Sequence, residues 1–178
     1  FLHYRPTDVI LTSVEFDHAD IYRDLDHVKS AFARLIEIIP ADGTLVVSSD
    51  YPAALSVAQA ARSKCTSYGE KGDWTVTDVQ FREGRSFFAP CYKGRAEGPL
   101  EAAVIGRHNV MNALAVYAMG RVLGVERERL LEGFRTFKGV KRRQEVRGER
   151  RGVLVIDDFA HHPTAVRETI EAVRAAYA

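Results

Sequence analysis

Residues 7–20 read TDVILTSVEFDHAD, and this stretch indicates the fold more clearly than any other. It begins with the apolar, β-branched run Val9–Thr12, which is typical of a strand buried on both faces of a parallel sheet. It then changes abruptly to the polar residues Glu15, Asp17, His18 and Asp20. Ligands of open α/β sheets bind beyond the carboxyl ends of the strands, so we expect a ligand-binding edge here. A solvated acidic turn that caps the next helix is the alternative.

The segments that follow alternate between helix and strand patterns. Helical spacing of apolar residues occupies 26–39, a buried strand pattern occupies 44–48, and a second helix and strand are predicted at 52–62 and 66–68. Strands joined by helices of this length predict a parallel sheet with crossover helices. Short alternating runs punctuated by Gly and Pro at 74–105 predict antiparallel hairpins attached to that sheet. The fold class is therefore α/β.

The part of the chain after residue 105 contains three more predicted helices. The apolar face of the first, which follows Gly106, is expected to contain Met111, Leu114, Ala115, Ala118 and Val122. A short helix at 126–134 comes next. The third helix follows a buried strand at 152–156, and its apolar face is expected to contain Val166, Ile170, Val173 and Tyr177.

Residues 138–151 have a different composition from the segments on either side. They contain seven basic residues and two acidic ones, and glycines interrupt them. We interpret this segment as a polar linker at a domain boundary. The predicted division is therefore 1–137 and 138–178.

The overall composition limits the function classes. Of the 178 residues, 46% are hydrophobic and 28% are charged, and the net charge of +1 gives no sign of a nucleic-acid partner. No apolar run has the length of a membrane span, so no membrane partner is expected. The spacing of Cys65 and Cys91 fits neither a disulfide framework nor a metal site, which favours a reduced, cytoplasmic protein. Nothing in the composition indicates the oligomeric state.

Asn109 and Asn112 form a second polar cluster, at the start of a predicted helix. Residues three apart lie on one face of a helical turn, and each carboxamide offers a donor and an acceptor. Such a pair could read the edge of a purine. The alternative is that Asn109 only caps the helix.

Two further clusters lie in the last forty residues. Lys141, Arg142 and Arg143 could bind phosphate oxygens in a bidentate manner, or they could be a solvated basic linker. Asp158 and His161 follow a predicted strand and precede a helix start, where a carboxylate could accept hydrogen bonds from ribose hydroxyls. An N-cap beside a satisfied histidine is the alternative there.

Four ordered motifs resemble those of the Mur ligase family, the ATP-dependent amide ligases of peptidoglycan synthesis. These motifs are EFDHAD (15–20), GRHNVMN (106–112), GVKRR (139–143) and DDFAHHPT (157–164). The resemblance implies part of the family's central ATPase domain in 1–137. It implies the first β-α unit of a Rossmann-like C-terminal domain in 138–178.

The resemblance also implies ATP and magnesium as cofactors. His18 would ligate the magnesium ion that is shared with the γ-phosphate. Asn109 and Asn112 would contact adenine. It assigns no firm role to Glu15 or Asp17.

The C-terminal part would complete the same nucleotide site. By resemblance, Arg143 would be the catalytic residue that reaches the phosphates, and Asp158 with His161 would hold the ribose. Two departures from the family pattern are Ser13, where many members have asparagine, and Phe32, where several have a carbamylated lysine. Lys29 lies almost one turn before that position.

Within the family, FLHYRP (1–6) together with EFDHADI (15–21) looks closest to one branch. That branch joins the recycled tripeptide L-Ala-γ-D-Glu-meso-diaminopimelate to UDP-N-acetylmuramate through an acyl phosphate. The alternative is the branch that adds L-alanine to UDP-N-acetylmuramate, which shares the Asp-Asp-x-x-His-His-Pro-Thr type of motif.

The two ends of the sequence lead us to expect a segment of a longer protein. The chain opens at Phe1 without methionine and stops at Ala178 within a helical pattern. The phosphate-loop pattern Gly-x-x-x-x-Gly-Lys-Ser/Thr does not occur in it and is expected upstream, with the UDP-binding domain. We therefore expect these 178 residues alone to have no ligase activity.

Two other function classes use the same residues. Residues 138–151 could bind a polyanion, although no aromatic residues are interleaved for base stacking. His18 or His161 could instead serve a metal-dependent hydrolase, in which tight zinc binding would be expected.

Overall fold

A seven-stranded sheet with helices on both faces forms the centre of the computed structural model, which describes residues 2–177. Its strands are β1 (Asp8–Leu11), β2 (Thr44–Ser48), β3 (Lys64–Tyr68), β4 (Trp74–Arg82), β5 (Arg85–Tyr92), β6 (Arg95–Ala96) and β7 (Leu100–Ala102). Strands β1 to β4 pair in parallel, and β5 pairs antiparallel with β4, β6 and β7. The predicted α/β class, with a parallel sheet and an antiparallel hairpin region, is confirmed.

Within residues 2–177, five α-helices and one short 3₁₀-helix accompany the sheet. They are the 3₁₀-helix Leu2–Tyr4 and the helices α1 (Leu25–Glu37), α2 (Pro52–Ala58), α3 (Arg107–Val122), α4 (Arg127–Thr136) and α5 (Pro163–Tyr177). Between α4 and α5 lies a separate antiparallel hairpin of β8 (Glu145–Arg150) and β9 (Val153–Asp157). Among residues 2–177, no helix has the length and apolar character needed to cross a bilayer.

The prediction that 138–151 is a polar linker is wrong for its second half, which forms β8. Five of the six residues of β8 are exposed, so the strand has no buried face that would give it an apolar pattern. It forms because its backbone pairs with the apolar strand β9. The two strands are joined by residues 151–152 in a tight hairpin, so pairing with β9 offsets the poor strand pattern of β8 itself.

Side chains of β2 alternate between two hydrophobic cores. Leu45 and Val47 pack on the face covered by α1 and α2, whereas Val46 packs on the opposite face against α3. All three are at most 1% exposed. The period of two along a strand explains why one apolar run fills both cores.

The predicted apolar faces of two helices need correction. In α3, Val122 is 39% exposed, and the buried set also includes Val110 and Tyr117, because α3 packs against several strands at once. In α5, Val166 and Ile170 are exposed, and Ala172 is the buried residue. The small residue is buried because α5 lies very close to the start of α3. Phe1 and Ala178, which figured in the expectations about the chain ends, lie outside the described residues.

Candidate functional site

A groove of about 2360 Å³ runs between the carboxyl edge of the sheet and the segment that contains β8, β9 and α5. Five of the six predicted site residues line it, namely His18, Asn109, Asn112, Arg143 and Asp158. His161 is not among the groove-lining residues that the structure describes; its ring packs against Phe159, with the two ring centroids 5.2 Å apart. The groove therefore gathers residues that are up to 140 positions apart in the chain.

Helix α5 forms one wall of the groove and contacts the sheet region along its length. Thr164 Oγ1 donates a hydrogen bond to Glu15 Oε1 at 3.3 Å, and one turn later Glu168 Oε2 lies 3.2 Å from His108 Nδ1. One turn further on, Ala172 meets Gly106. A Cβ atom on Gly106 would lie 2.4 Å from the Cβ of Ala172, and Gly106 also has φ +89°. Only glycine allows both the close approach of Ala172 and the positive φ without a shift of α5.

The Asn109 carboxamide is held at the first turn of α3. Its Nδ2 donates to the carbonyl oxygen of Ile105 and to Gln144 Oε1, both at 3.0 Å. Its Oδ1 accepts a hydrogen bond from Asn112 Nδ2 at 3.4 Å. The predicted pairing of the two asparagines on one face is thus observed. The alternative of a capping role for Asn109 is wrong, because Gly106 occupies the N-cap position of α3.

Asp158 accepts two backbone hydrogen bonds in the C-terminal segment. Its Oδ2 accepts from the N–H of Gln144 at 2.9 Å, and its Oδ1 accepts from the N–H of Ala160 at 2.7 Å. These bonds fix the carboxylate at the end of β9, on the groove side. Each oxygen retains a second acceptor direction, which a hydroxyl group could use.

Arg143 lies in a tight turn with left-handed backbone on both sides. Arg142 has φ +59° and Gln144 has φ +50°, which are conformations that side-chain-bearing residues rarely adopt. The guanidinium carbons of Arg142 and Arg143 lie 4.9 and 5.7 Å from the centre of the Phe159 ring. The ring attracts both cations by cation–π interaction, and of the two arginines Arg143 lines the groove.

Asp17 and His18 form the end of the groove that follows β1. Asp17 Oδ1 accepts the backbone N–H of His18 at 2.7 Å, and this bond lowers the pKa of the exposed Asp17 carboxyl; His18, His162 and His161 lower it further. His18 has φ +56°, and its side chain is 63% exposed. Across residues 2–177, no three His, Cys, Asp or Glu side chains are arranged to hold a metal ion among themselves.

The two positions that depart from the family pattern lie on or beside the groove. Ser13 and Phe32 both line it. Lys29 instead forms an exposed ion pair with Asp26 one turn earlier, with Nζ 3.1 Å from Oδ1. Lys29 therefore does not take the position of the carbamylated lysine.

Three groove residues were missed by sequence reasoning: Gln144, Thr164 and Glu168. A signal for the last two did exist, because Thr164, Glu168 and Ala172 recur every four residues and so share one face of α5. That face is mostly polar, whereas the apolar pattern of the helix indicates the opposite face, which contains Val166 and Ile170. Gln144 follows a basic run directly and has no distinguishing local pattern.

The sequence matches two family models. Residues 2–120 match the Mur ligase middle domain, and residues 142–178 match the glutamate ligase domain of Mur ligases. The predicted division after residue 137 falls in the interval between the two matches.

Curated relatives match nearly the whole chain. UDP-N-acetylmuramate–L-alanine ligases from Caldanaerobacter subterraneus subsp. tengcongensis and from Desulfitobacterium hafniense are 35% and 37% identical, over 98% and 99% of this chain. The chain spans only 38% and 39% of the length of these two relatives.

Solved structures share the fold. The UDP-N-acetylmuramate–alanine ligase from Thermotoga maritima matches 98% of this chain and 38% of its own, with a TM-score of 0.82 and 25% identity. A UDP-N-acetylmuramate:L-alanyl-γ-D-glutamyl-meso-diaminopimelate ligase from Neisseria meningitides matches 79% of this chain and 43% of its own, with a TM-score of 0.69 and 31% identity. Because the middle-domain model alone covers more than half of the residues, this chain belongs to the Mur ligase family.

Proposed function

We propose that the full-length protein joins L-alanine to UDP-N-acetylmuramate and converts ATP to ADP and phosphate. Members of the family are ATP-dependent ligases of peptidoglycan synthesis. The observation that carries the choice of amine is the 35–37% identity, over almost the whole chain, to relatives named as L-alanine ligases. The tripeptide reaction favoured on sequence motifs has weaker support, because the structure that bears that name matches a smaller share of the chain.

The groove is the proposed nucleotide site. Asn109 and Asn112 read the adenine, Asp158 holds the ribose, and Arg143 reaches the phosphates. The predicted ribose contact of His161 is not part of this proposal, because its ring packs against Phe159 and does not line the groove. The hydrogen-bonded asparagine pair and the fixed Asp158 carboxylate support this assignment, because both sets of groups lie on one groove. A related ligase of the same fold from Thermotoga maritima, 21% identical to this chain, has been solved in complex with ADP.

Two groups suit a magnesium ion at the β1 end of the groove. Magnesium in phosphoryl-transfer sites is held by one or two carboxylates together with waters and substrate phosphates. The Asp17 carboxylate, whose pKa is lowered, fits that requirement, and the neighbouring His18 imidazole is the ligand that the family resemblance implies. The ion, when bound, would neutralise charge on the phosphoryl group in transfer.

The reaction proceeds through an acyl phosphate. The lactyl carboxylate oxygen attacks the γ-phosphorus of ATP, and the bond to ADP breaks. The alanine amine then attacks the acyl carbon, inorganic phosphate leaves, and the amine loses a proton to solvent. Arg143 stabilises negative charge on the transferring phosphoryl group, and closure of α5 over the groove excludes water from the acyl phosphate.

The reaction takes place in the cytoplasm, where ATP and nucleotide-linked sugars are available. The boundary between the two parts of the chain lies after residue 137. The segment 1–137 contributes the asparagine pair, and 138–178 contributes Arg143 and Asp158. Contacts from Glu15 to Thr164 and from His108 to Glu168 support a closed arrangement of the two parts.

A coupled assay of ADP release by the full-length protein tests the proposal. With UDP-N-acetylmuramate and ATP present, we expect turnover with L-alanine and at least tenfold less with the tripeptide. Preference for the tripeptide would overturn the choice of amine and support the other branch. The 178-residue chain serves as the control and is expected to release no ADP, because it contains no phosphate-loop pattern.

A further inference from the structure

We propose that Gln144 is a positioning residue for the nucleotide: its carboxamide orients the base-reading Asn109, and its backbone orients Asp158. The inference rests on the proposed function of the groove. Gln144 is the one residue in the described part of the chain that hydrogen-bonds both Asn109 and Asp158.

The directions of the hydrogen bonds around Gln144 follow from chemistry alone. The carbonyl of Ile105 can only accept, so the nitrogen of the Asn109 carboxamide must face it. The same nitrogen then donates to Gln144, which must present its oxygen to Asn109. The Gln144 carboxamide is thereby fixed with its nitrogen towards His108.

The remaining bonds complete the chain of donors. Gln144 Nε2 lies 3.4 Å from His108 Nε2, so that ring nitrogen must accept. His108 therefore carries its proton on Nδ1, which lies 3.2 Å from the acceptor-only carboxylate of Glu168 on α5. The two hydrogens of Asn109 Nδ2 have separate acceptors, and no alternative orientation of either carboxamide satisfies all the bonds.

This chain of bonds joins the two walls of the groove through a single side chain. Asn109 and His108 belong to α3, Glu168 belongs to α5, and Gln144 lies between them. The backbone N–H of Gln144 binds Asp158 from the same residue. When α5 closes, Gln144 therefore fixes the Asn109 carboxamide and the Asp158 carboxylate in one mutual geometry.

The test measures ADP affinity of the full-length protein by calorimetry. Gln144→Met keeps the length of the side chain and removes its hydrogen bonds to Asn109 and His108. We expect about tenfold weaker ADP binding, because the two partly buried hydrogen bonds that Gln144 makes with Asn109 and His108 are lost. Binding of inorganic tripolyphosphate, which has no base or ribose, is expected to be unchanged. Gln59→Met, at the exposed C-cap of α2, is the matched control and should bind ADP like the unmodified protein.

A double-mutant cycle distinguishes positioning from general support of the structure. If Gln144 acts through Asn109, then Gln144→Met should weaken ADP binding less than twofold in an Asn109→Ala background. Equal losses in both backgrounds, or no loss in either, would overturn the inference. Equal weakening of tripolyphosphate binding would also overturn it. If the unmodified protein does not bind ADP, the proposed function fails instead, so the two failures are distinguishable.

Discussion

The core around β2 and the surface on which α5 docks are held together by different interactions. This docking surface consists of the contacts of α5 with Glu15, His108 and Gly106. In the core, Leu45, Val46 and Val47 are at most 1% exposed and pack on both faces of the sheet. The docking surface has one buried residue on α5, Ala172, and includes polar contacts such as Glu168 with His108, whose side chains are 33% and 26% exposed. Apolar burial is non-directional and accumulates over the whole core, whereas a few partly exposed polar pairs contribute little net free energy. The comparison indicates that the sheet region is rigid and that α5 can undock while the sheet remains folded.

The largest effect is expected in the sheet core. Leu45→Ala removes a fully buried side chain and leaves a cavity, which should lower the free energy of unfolding by about 2–5 kcal/mol. Urea denaturation followed by fluorescence of Trp74, which is buried in the same sheet, measures this. Leu55→Ala, at a position 37% exposed on α2, is the control and should cost much less. Equal losses for the two variants would remove the contrast between core and surface.

A smaller effect, confined to α5, is expected from Gly106→Ala. The added Cβ would lie 2.4 Å from the Cβ of Ala172, so α5 must move away. Gly124→Ala is a matched control, since Gly124 also has positive φ (+78°) but no atom within 4 Å of the added Cβ. Hydrogen exchange of the α5 amides should rise about tenfold or more in the first variant only, as expected for an overpacked contact.

Two outcomes of this exchange experiment would contradict the prediction for Gly106→Ala. If both glycine variants accelerate exchange in α5 equally, backbone strain explains the effect and the contact with Ala172 does not. If exchange in β2 rises together with that in α5, the helix and the sheet unfold as one unit. Either outcome would replace the picture of a detachable helix.

The smallest effect is a pH dependence of α5 docking. Burial lowers the pKa of His108 below its ordinary value of 6.5, although Glu168 and Asp158 act in the opposite direction. The undocked state therefore binds the proton more readily. The contribution of His108 to the free energy of α5 docking is fully present above pH 6.5, and it is lost as the pH falls from 6.5 towards the lowered pKa. Protonation of Nε2 would also oppose the donor Nε2 of Gln144. Exchange of the α5 amides between pH 7.5 and 5.5, corrected for intrinsic rates, should show this loss, and His108→Phe should abolish the pH dependence.

The sheet could be predicted from sequence because its signals are local. The run at 44–48 has three consecutive apolar residues, Leu45, Val46 and Val47, between two small polar ones, and a strand buried on both faces is the structure that such a run favours. The asparagine pair at 109 and 112 was also predictable, because helical spacing alone places both on one face. The general location of the groove followed from the rule for carboxyl ends of parallel strands.

The docking surface could not be predicted, because its signals depend on tertiary contacts. Gln144 acquires its significance only when β9, α3 and α5 surround it. In α5, the exposed Val166 and Ile170 gave a stronger apolar pattern than the buried Ala172, so the pattern indicated the wrong face. β8 forms a hairpin with β9 across residues 151–152, and it was overlooked because its exposed, mostly polar residues give no apolar alternation.

The close approach of Gly106 and Ala172 limits how α5 can slide along α3. Ala176 lies one turn after Ala172 in the sequence, so a displacement of one turn, about 5.4 Å, could bring another methyl group opposite Gly106. A displacement in the opposite direction would bring Glu168 there, and its longer side chain does not fit the same gap. The contact between Gly106 and Ala172 therefore limits sliding of α5 more in one direction than in the other.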